Sequence, residues 1–312
     1  MVSFKLKDIA TREERFAQGH KMCPGCGVAI TVRQIMASFE EPVVIANATG
    51  CLEICSGTFP HSSWKVPWIH SAFPNAASTI AGLESMYRAK LKRGEIHKER
   101  KIKFLAFGGD GGTYDIGFQA LSGAAERGHN FVYVCLDNEG YMNTGGQRSS
   151  ATPPGARTTT SEVGKVLQGK QQFRKDLTRI MAAHNIPYAA QAAPSKWLDL
   201  MKKAYRAFEV EGPAFINVLC NCPTGWHADP ARGLEFVQRA VDSCFWPLYE
   251  VESGVVRITY KPRKKIPVVE WFKDQGRFKH LLRPENEELL ESIQVEVDRI
   301  WNQLLKDAGE EM

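Results

Sequence analysis

Residues 101–140, KIKFLAFGGDGGTYDIGFQALSGAAERGHNFVYVCLDNEG, constrain the fold more than any other stretch. The opening β run stops in a cluster of glycines. Small and apolar residues at helical spacing follow. NFVYVCLDNEG then reads as a second buried strand, rich in aromatic and β-branched residues and ended by turn formers. Strand, glycine turn, helix and strand make a βαβ unit, which calls for a parallel sheet. The rest of the chain extends the pattern. EEPVVIANATG (40–50) predicts a buried strand running into a loop of small residues. The segment 68–94 begins as a loop and becomes a helix ended by Gly94. Residues 176–212 read as helices around a short strand, and PAFINVLCNCPTGW as a last strand and turn. The expected fold class is α/β, a doubly wound and mostly parallel sheet, over residues 1–244. From about residue 245 the composition shifts to a hairpin, an extended arm and a terminal helix. Leu290, Ile293, Val297, Ile300 and Leu304 lie on one apolar face of that helix. Residues 245–312 are therefore expected to be an extension that packs on the domain or on a partner subunit.

A net charge of +5 over 312 residues, with Lys and Arg scattered, gives no nucleic-acid footprint. No apolar run approaches the ~20 residues needed to span a bilayer. The N-terminal MVSFKLKDIATREERF is too charged for a signal peptide, so a cytoplasmic location is expected. Structural disulfides are rare there, and the eight cysteines need another reading. Six fall in close pairs: Cys23 with Cys26, Cys51 with Cys55, and Cys220 with Cys222. The CPGCG spacing suits a zinc knuckle, a redox dithiol or one edge of an iron–sulfur cluster.

FGGDGGTYD is neither a dinucleotide fingerprint nor a Walker loop. It places an acid, Asp110, among glycines after a strand and before a helix. Glycines let the backbone approach phosphate, and the helix start favours negative charge. A carboxylate there would repel a diphosphate unless a divalent cation lay between them. Mg²⁺ binds through few side chains together with substrate phosphates. Asp110 therefore points to a Mg²⁺-bridged diphosphate. Asp137, Asn138 and the carbonyl of Gly140, at the end of the next strand, are the candidate further oxygens.

GDG (Gly109, Asp110, Gly111) with Asn138 downstream resembles the thiamine diphosphate (TPP) motif. The whole run through DNEGYMNTGGQRSSATPPGA, with CPGCG and ANATGCLE upstream and CPTGW downstream, resembles the TPP-binding β subunits of 2-oxoacid:ferredoxin oxidoreductases, the pyruvate enzymes above all. The resemblance covers roughly residues 15–260. It implies TPP, Mg²⁺ and one [4Fe–4S] cluster, with coenzyme A as co-substrate. It implies oxidative decarboxylation of a 2-oxoacid to acyl-CoA and CO₂, with electrons passing through the cluster to ferredoxin.

By motif, the cluster ligands are Cys23, Cys26, Cys51 and Cys222. Cys220, on the opposite face of a strand, and Cys55 are rivals, while Cys135 and Cys244 read as core. Asn143, as the catalytic candidate, and Thr144 are expected to face the thiazolium. Thr49, Gly50 and His70 are expected near the cofactor, while Lys165 and Lys170, in the polar loop, read as solvated lysines, with contact to coenzyme A phosphates as the alternative. No residue can be nominated as the Glu that activates the cofactor. The resemblance assigns that Glu to an α subunit, with γ and ferredoxin-like δ subunits completing the assembly. Two alternatives stay open: the same chemistry on oxalate or a branched or aryl 2-oxoacid, and a non-catalytic zinc-stabilised or electron-transfer module.

Overall fold

The computed structural model describes residues 4–96 and 101–310. One sheet is built from Val43–Ala48 (β1), Trp68–Ser71 (β2), Lys103–Gly109 (β3), Val132–Asp137 (β4), Tyr188–Ala192 (β5), Ala214–Leu219 (β6), Leu248–Glu252 (β7) and Val255–Tyr260 (β8). The strand order is β2-β1-β3-β4-β6-β5-β7-β8. The first six strands in that order run parallel. β7 is antiparallel to β5, and β8 to β7.

β4 and β6 are buried at every position, as expected for central strands covered on both faces. Alternation along the strands divides the core in two. Ile45, Leu105, Val134 and Ile216 pack with Val32, Ile35, Leu200 and Ala204 of helices Gly27–Met36 and Trp197–Glu209. Ala46, Ala106, Cys135 and Phe215 face the other layer, against Ile80, Leu121 and Ala124 of helices Ala76–Lys92 and Phe118–Glu126. The small side chains at 46 and 106 let that second helical layer lie close to the sheet.

β2 lies where the sequence suggests a loop. It has four half-buried or exposed residues on the sheet edge, too few to show an alternation. Helix Glu287–Asp307 buries Ile293, Val297 and Leu304 of the expected face, together with Trp301 and Leu305, while Leu290 and Ile300 are half-buried. Ile293 and Val297 share a core with Trp226, Phe236, Trp246, Trp271 and Phe278. The C-terminal segment thus packs directly against the turn that follows β6.

β1, β3, β4 and β6 are consecutive neighbours in the sheet and point the same way. Their carboxyl ends carry Thr49–Cys51, Asp110, Asn138 and Cys220–Cys222 respectively, on one edge of the sheet. In open α/β sheets ligands bind outside this edge.

Candidate active site

Asp110 follows β3 and is buried. Its Oδ2 accepts from Ser149 Oγ at 2.5 Å and its Oδ1 from the Asn138 backbone N–H at 3.3 Å. Among the described residues no cation is paired with it. Burial and the charge of Asp137 push its pKa well up, against the pull of those hydrogen bonds. One end of the Asn138 amide lies 3.0 Å from Asp110 Oδ1 and 2.9 Å from the Gly140 carbonyl oxygen. With nitrogen at that end it donates to both. With oxygen there, three oxygens converge, a donor set suited to a hard divalent cation. Such a cation would also reverse the pressure on Asp110.

Asp137 is not part of this set. Its Oδ2 accepts from Arg174 at 2.6 Å and from the Tyr114 hydroxyl at 2.7 Å, and its Oδ1 from the Glu139 N–H. In a strand, neighbours point to opposite faces, so Asp137 turns away where Asn138 turns in.

A Cβ on Gly111 would sit 2.4 Å from the Tyr141 ring. Only glycine lets Tyr141 lie there and donate to the Gly111 carbonyl at 2.9 Å, which fastens the loop after β4 to the turn after β3. Thr49, Gly50, Gly109, Gly140, Asn143 and Thr144 border the same cavity as Asp110, Gly111 and Asn138. His70 stands behind Thr49, with its Nε2 2.8 Å from Thr49 Oγ1, and is not itself on the cavity wall.

Cys23, Cys26, Cys51 and Cys222 line an adjoining cavity of about 620 Å³, as does Cys55. The two cavities share Cys51, Asn138, Met142 and Asn143. Residues far apart in sequence meet here through Asn221. Its carbonyl accepts from Gly27 N–H at 3.1 Å, and its side chain donates to the Gly25 carbonyl at 2.8 Å. A Cβ at Gly27 would lie 2.7 Å from the Asn221 nitrogen, so CPGCG needs glycine to reach the turn after β6.

Cys222 caps the short helix Pro223–Trp226, accepting from Gly225 N–H at 3.3 Å. Cys220 points the other way, fully buried with its sulfur 3.3 Å from Thr31 Oγ1. Cys135 and Cys244 are buried away from the cavity. Burial, and then the mutual charge of the cysteines, raises the thiols: Cys26 to about 11 and Cys51 to about 12. These sulfurs become thiolates only against a metal charge. Among the described residues no three His, Cys, Asp or Glu side chains form a group that could hold a metal ion.

Residues 48–218 match the model of the thiamine pyrophosphate enzyme C-terminal TPP-binding domain. The pyruvate synthase subunit PorB of Thermotoga maritima is 49% identical over 304 residues, covering 96% of this chain and 94% of the relative. PorB of Methanocaldococcus jannaschii is 51% identical, covering 92% and 95%. The chain belongs to the PorB family of pyruvate synthase subunits. The family is one of TPP-dependent 2-oxoacid oxidoreductase subunits. A solved 2-oxoglutarate:ferredoxin oxidoreductase from Magnetococcus marinus shares the fold, with a TM-score of 0.54 at 22% identity over 77% of this chain and 82% of that one. No helix among the described residues is long and apolar enough to cross a membrane.

In this PorB-family chain the site also rests on a buried charge network that the sequence does not announce. Glu139, between Asn138 and Gly140, has φ 69°, and both its oxygens are ion-paired: Oε1 with Arg174 at 3.2 Å and Oε2 with Arg277 at 2.6 Å. Burial pushes Glu139 upward, and the two guanidinium groups pull it back toward the ionised form. Arg174 also holds Asp137. DNEG offers a partial signal, since two acids at the end of a wholly buried strand require cations. Nothing local to Arg174 or Arg277 identifies them as those cations. Lys170 departs from expectation. It is buried and donates to the Thr152 carbonyl at 2.5 Å, and burial lowers its pKa to about 7. Lys165 is exposed.

Proposed function

We propose that this chain, assembled with α, γ and ferredoxin-like δ subunits, oxidises pyruvate with coenzyme A to acetyl-CoA and CO₂ and passes the electrons to ferredoxin. The observation that carries the reading is the meeting of two sites: the oxygens of Asp110, Asn138 and Gly140 beside a cavity ringed by thiols. Asp110 Oδ1, Asn138 Oδ1 and the Gly140 carbonyl would hold Mg²⁺ against a diphosphate, with Gly109, Gly111, Thr49 and Gly50 as the close backbone around it. Bound there, TPP supplies a carbon nucleophile and an electron sink for decarboxylation.

The exposed amide of Asn143 stands on the wall common to both cavities. It donates to the substrate's keto oxygen as negative charge builds there. Met22, Met142 and Ala156 give the larger cavity apolar walls, which keep water from the electrons. Cys23, Cys26, Cys51 and Cys222 would hold a [4Fe–4S] cluster, for which four thiolates suffice. A single zinc ion at ≈ 2.3 Å from each sulfur needs the four within about 4 Å of one another. Thiols spread around a roomy cavity suit a cluster several ångströms across.

Among the described residues, Asp110 is the one carboxylate on the wall of the diphosphate cavity. The α subunit would supply the Glu for the aminopyrimidine. Exposed apolar side chains flank the site segments: Ile54 after Cys51, Phe59, Ile69 beside His70, and Ile116 after the glycine turn. They offer the partner an apolar footing. The test is anaerobic purification of the assembled complex. Relative to wild type, Cys222→Ser should lose about four irons and four sulfides per chain while TPP and Mg²⁺ remain. Stoichiometric zinc with unchanged sulfide would refute the cluster. Turnover with pyruvate, oxalate, and branched and aryl 2-oxoacids then tests the substrate, and a preference for any but pyruvate refutes that part.

A further inference from the structure

Arg277 belongs to the C-terminal segment, in the short helical turn Gly276–Leu282, yet it lines the thiol cavity. It is 2% exposed. Nη2 donates to Glu139 Oε2 at 2.6 Å and Nε to Gln275 Oε1 at 3.0 Å. The guanidinium plane stacks over Trp226 at 4.2 Å and over Phe278 at 4.7 Å. Trp226 in turn donates its indole N–H to the Asn138 carbonyl at 3.0 Å. Nη1 has no partner. A buried guanidinium nitrogen without an acceptor is costly. Every other polar group of this side chain is satisfied. After Glu139, the cavity group with which it interacts most strongly is Cys222.

We propose that Arg277 sets the reduction potential of the group held by Cys222, its free Nη1 donating to the sulfurs there, while its ion pair with Glu139 ties that group to the metal loop. The proposal rests on the cluster reading above. One-electron reduction adds a negative charge to the cluster. A fixed cation beside it stabilises the reduced form and raises the potential, as does a hydrogen bond to sulfur. Glu139, also on the cavity wall, acts in the opposite sense. Arg277 is thus a positioning residue for the metal loop and an electrostatic one for the cluster. Both roles come from a segment that the sequence presents only as packing.

The experiment is an EPR-monitored redox titration of the anaerobically assembled complex, following the signal that Cys222→Ser abolishes. Arg277→Gln should lower the reduced-to-oxidised ratio at fixed potential about tenfold, equivalent to about 59 mV for one electron. Glu139→Gln should raise it, and Arg277→Lys should stay within about threefold of wild type. Opposite signs for the two neutralising variants are the signature, because a purely structural disturbance moves both the same way. If Arg277→Gln does not assemble, the rise in Glu139→Gln and the retention in Arg277→Lys still decide the matter. A cluster of unmoved potential, or shifts of the same sign, overturns the proposal and leaves the cluster reading intact. A wild-type complex with no iron or sulfide at this site overturns both.

Discussion

Asp110→Asn should make the cofactor-free protein more stable and abolish its response to cofactor. The carboxyl is buried beside the acids Asp137 and Glu139, with two hydrogen bonds and, among the described residues, no cation in its favour. Burial and like charge win over those bonds, since the pKa is held well above 3.8. The isosteric amide keeps the shape, removes the charge and gives its nitrogen an acceptor in Asn138 Oδ1. A gain of about 1–3 kcal/mol follows, bounded by the usual cost of an uncompensated buried polar group. For a chain of this length that raises Tm by about 2–5 °C. The assay is thermal unfolding of the assembled complex, stripped of TPP and metal and then refilled. Wild type should gain stability by mass action as TPP and Mg²⁺ saturate. Asp110→Asn should start higher and gain nothing. A lower starting Tm would refute the charge argument. A full gain on adding TPP and Mg²⁺ would refute the metal assignment.

Cys220→Ser should retain its iron, because the thiol faces Thr31 in the core and not the cavity. Loss of iron in that variant with retention in Cys222→Ser would reverse the assignment of the fourth ligand. Cys55→Ser should also keep about four irons per chain, and iron and sulfide analysis checks both. Asn143→Ala should lower kcat about 100-fold with TPP content unchanged, since the side chain is exposed and supports no fold contact; an unaltered kcat would remove it from the chemistry. Lys203 is 1% exposed and donates to the Gln191 carbonyl, Asp199 and Thr259. Lys203→Met should cost about 3 kcal/mol and lower Tm by several degrees, without changing TPP content.

The two central strands and the glycine turn between them were legible because period and punctuation are local properties. So was the terminal helix, whose Ile293, Val297 and Leu304 repeat at helical spacing and are buried. β2 was not, because a four-residue edge strand carries too little pattern. Asp110 and Asn138 meet as chemistry and spacing suggest, while Asp137, one position earlier on the strand, faces the other way and pairs with Arg174. Lys170 was misjudged for a related reason: a lysine in a polar loop reads as solvated, and only tertiary packing shows that it satisfies a buried carbonyl. Glu139 could be suspected from its place in DNEG, at the end of a wholly buried strand. Arg174 and Arg277 could not, since their partners lie 35 and 138 positions away.

Those separations follow from the order of the sheet. β1, β3, β4 and β6 stand side by side, so their carboxyl ends form one continuous ledge, although the chain needs residues 43 to 219 to build it. In the proposed function the diphosphate would use two neighbouring ends, those of β3 and β4. An electron acceptor close to it would then use the flanking ends, those of β1 and β6, which carry Cys51 and Cys222. These two strands lie on opposite sides of the β3–β4 pair, yet the two thiols line one cavity and interact electrostatically. CPGCG brings two further thiols to them, fastened through Asn221 to the end of β6. On the function proposed above, the scatter of the four cysteines along the sequence is what a parallel sheet imposes when two groups share one edge. The C-terminal segment closes the same arrangement from outside: Arg277 reaches Glu139 on the β4 loop and stacks on Trp226 of the β6 turn, so one side chain holds the two loops at a fixed separation.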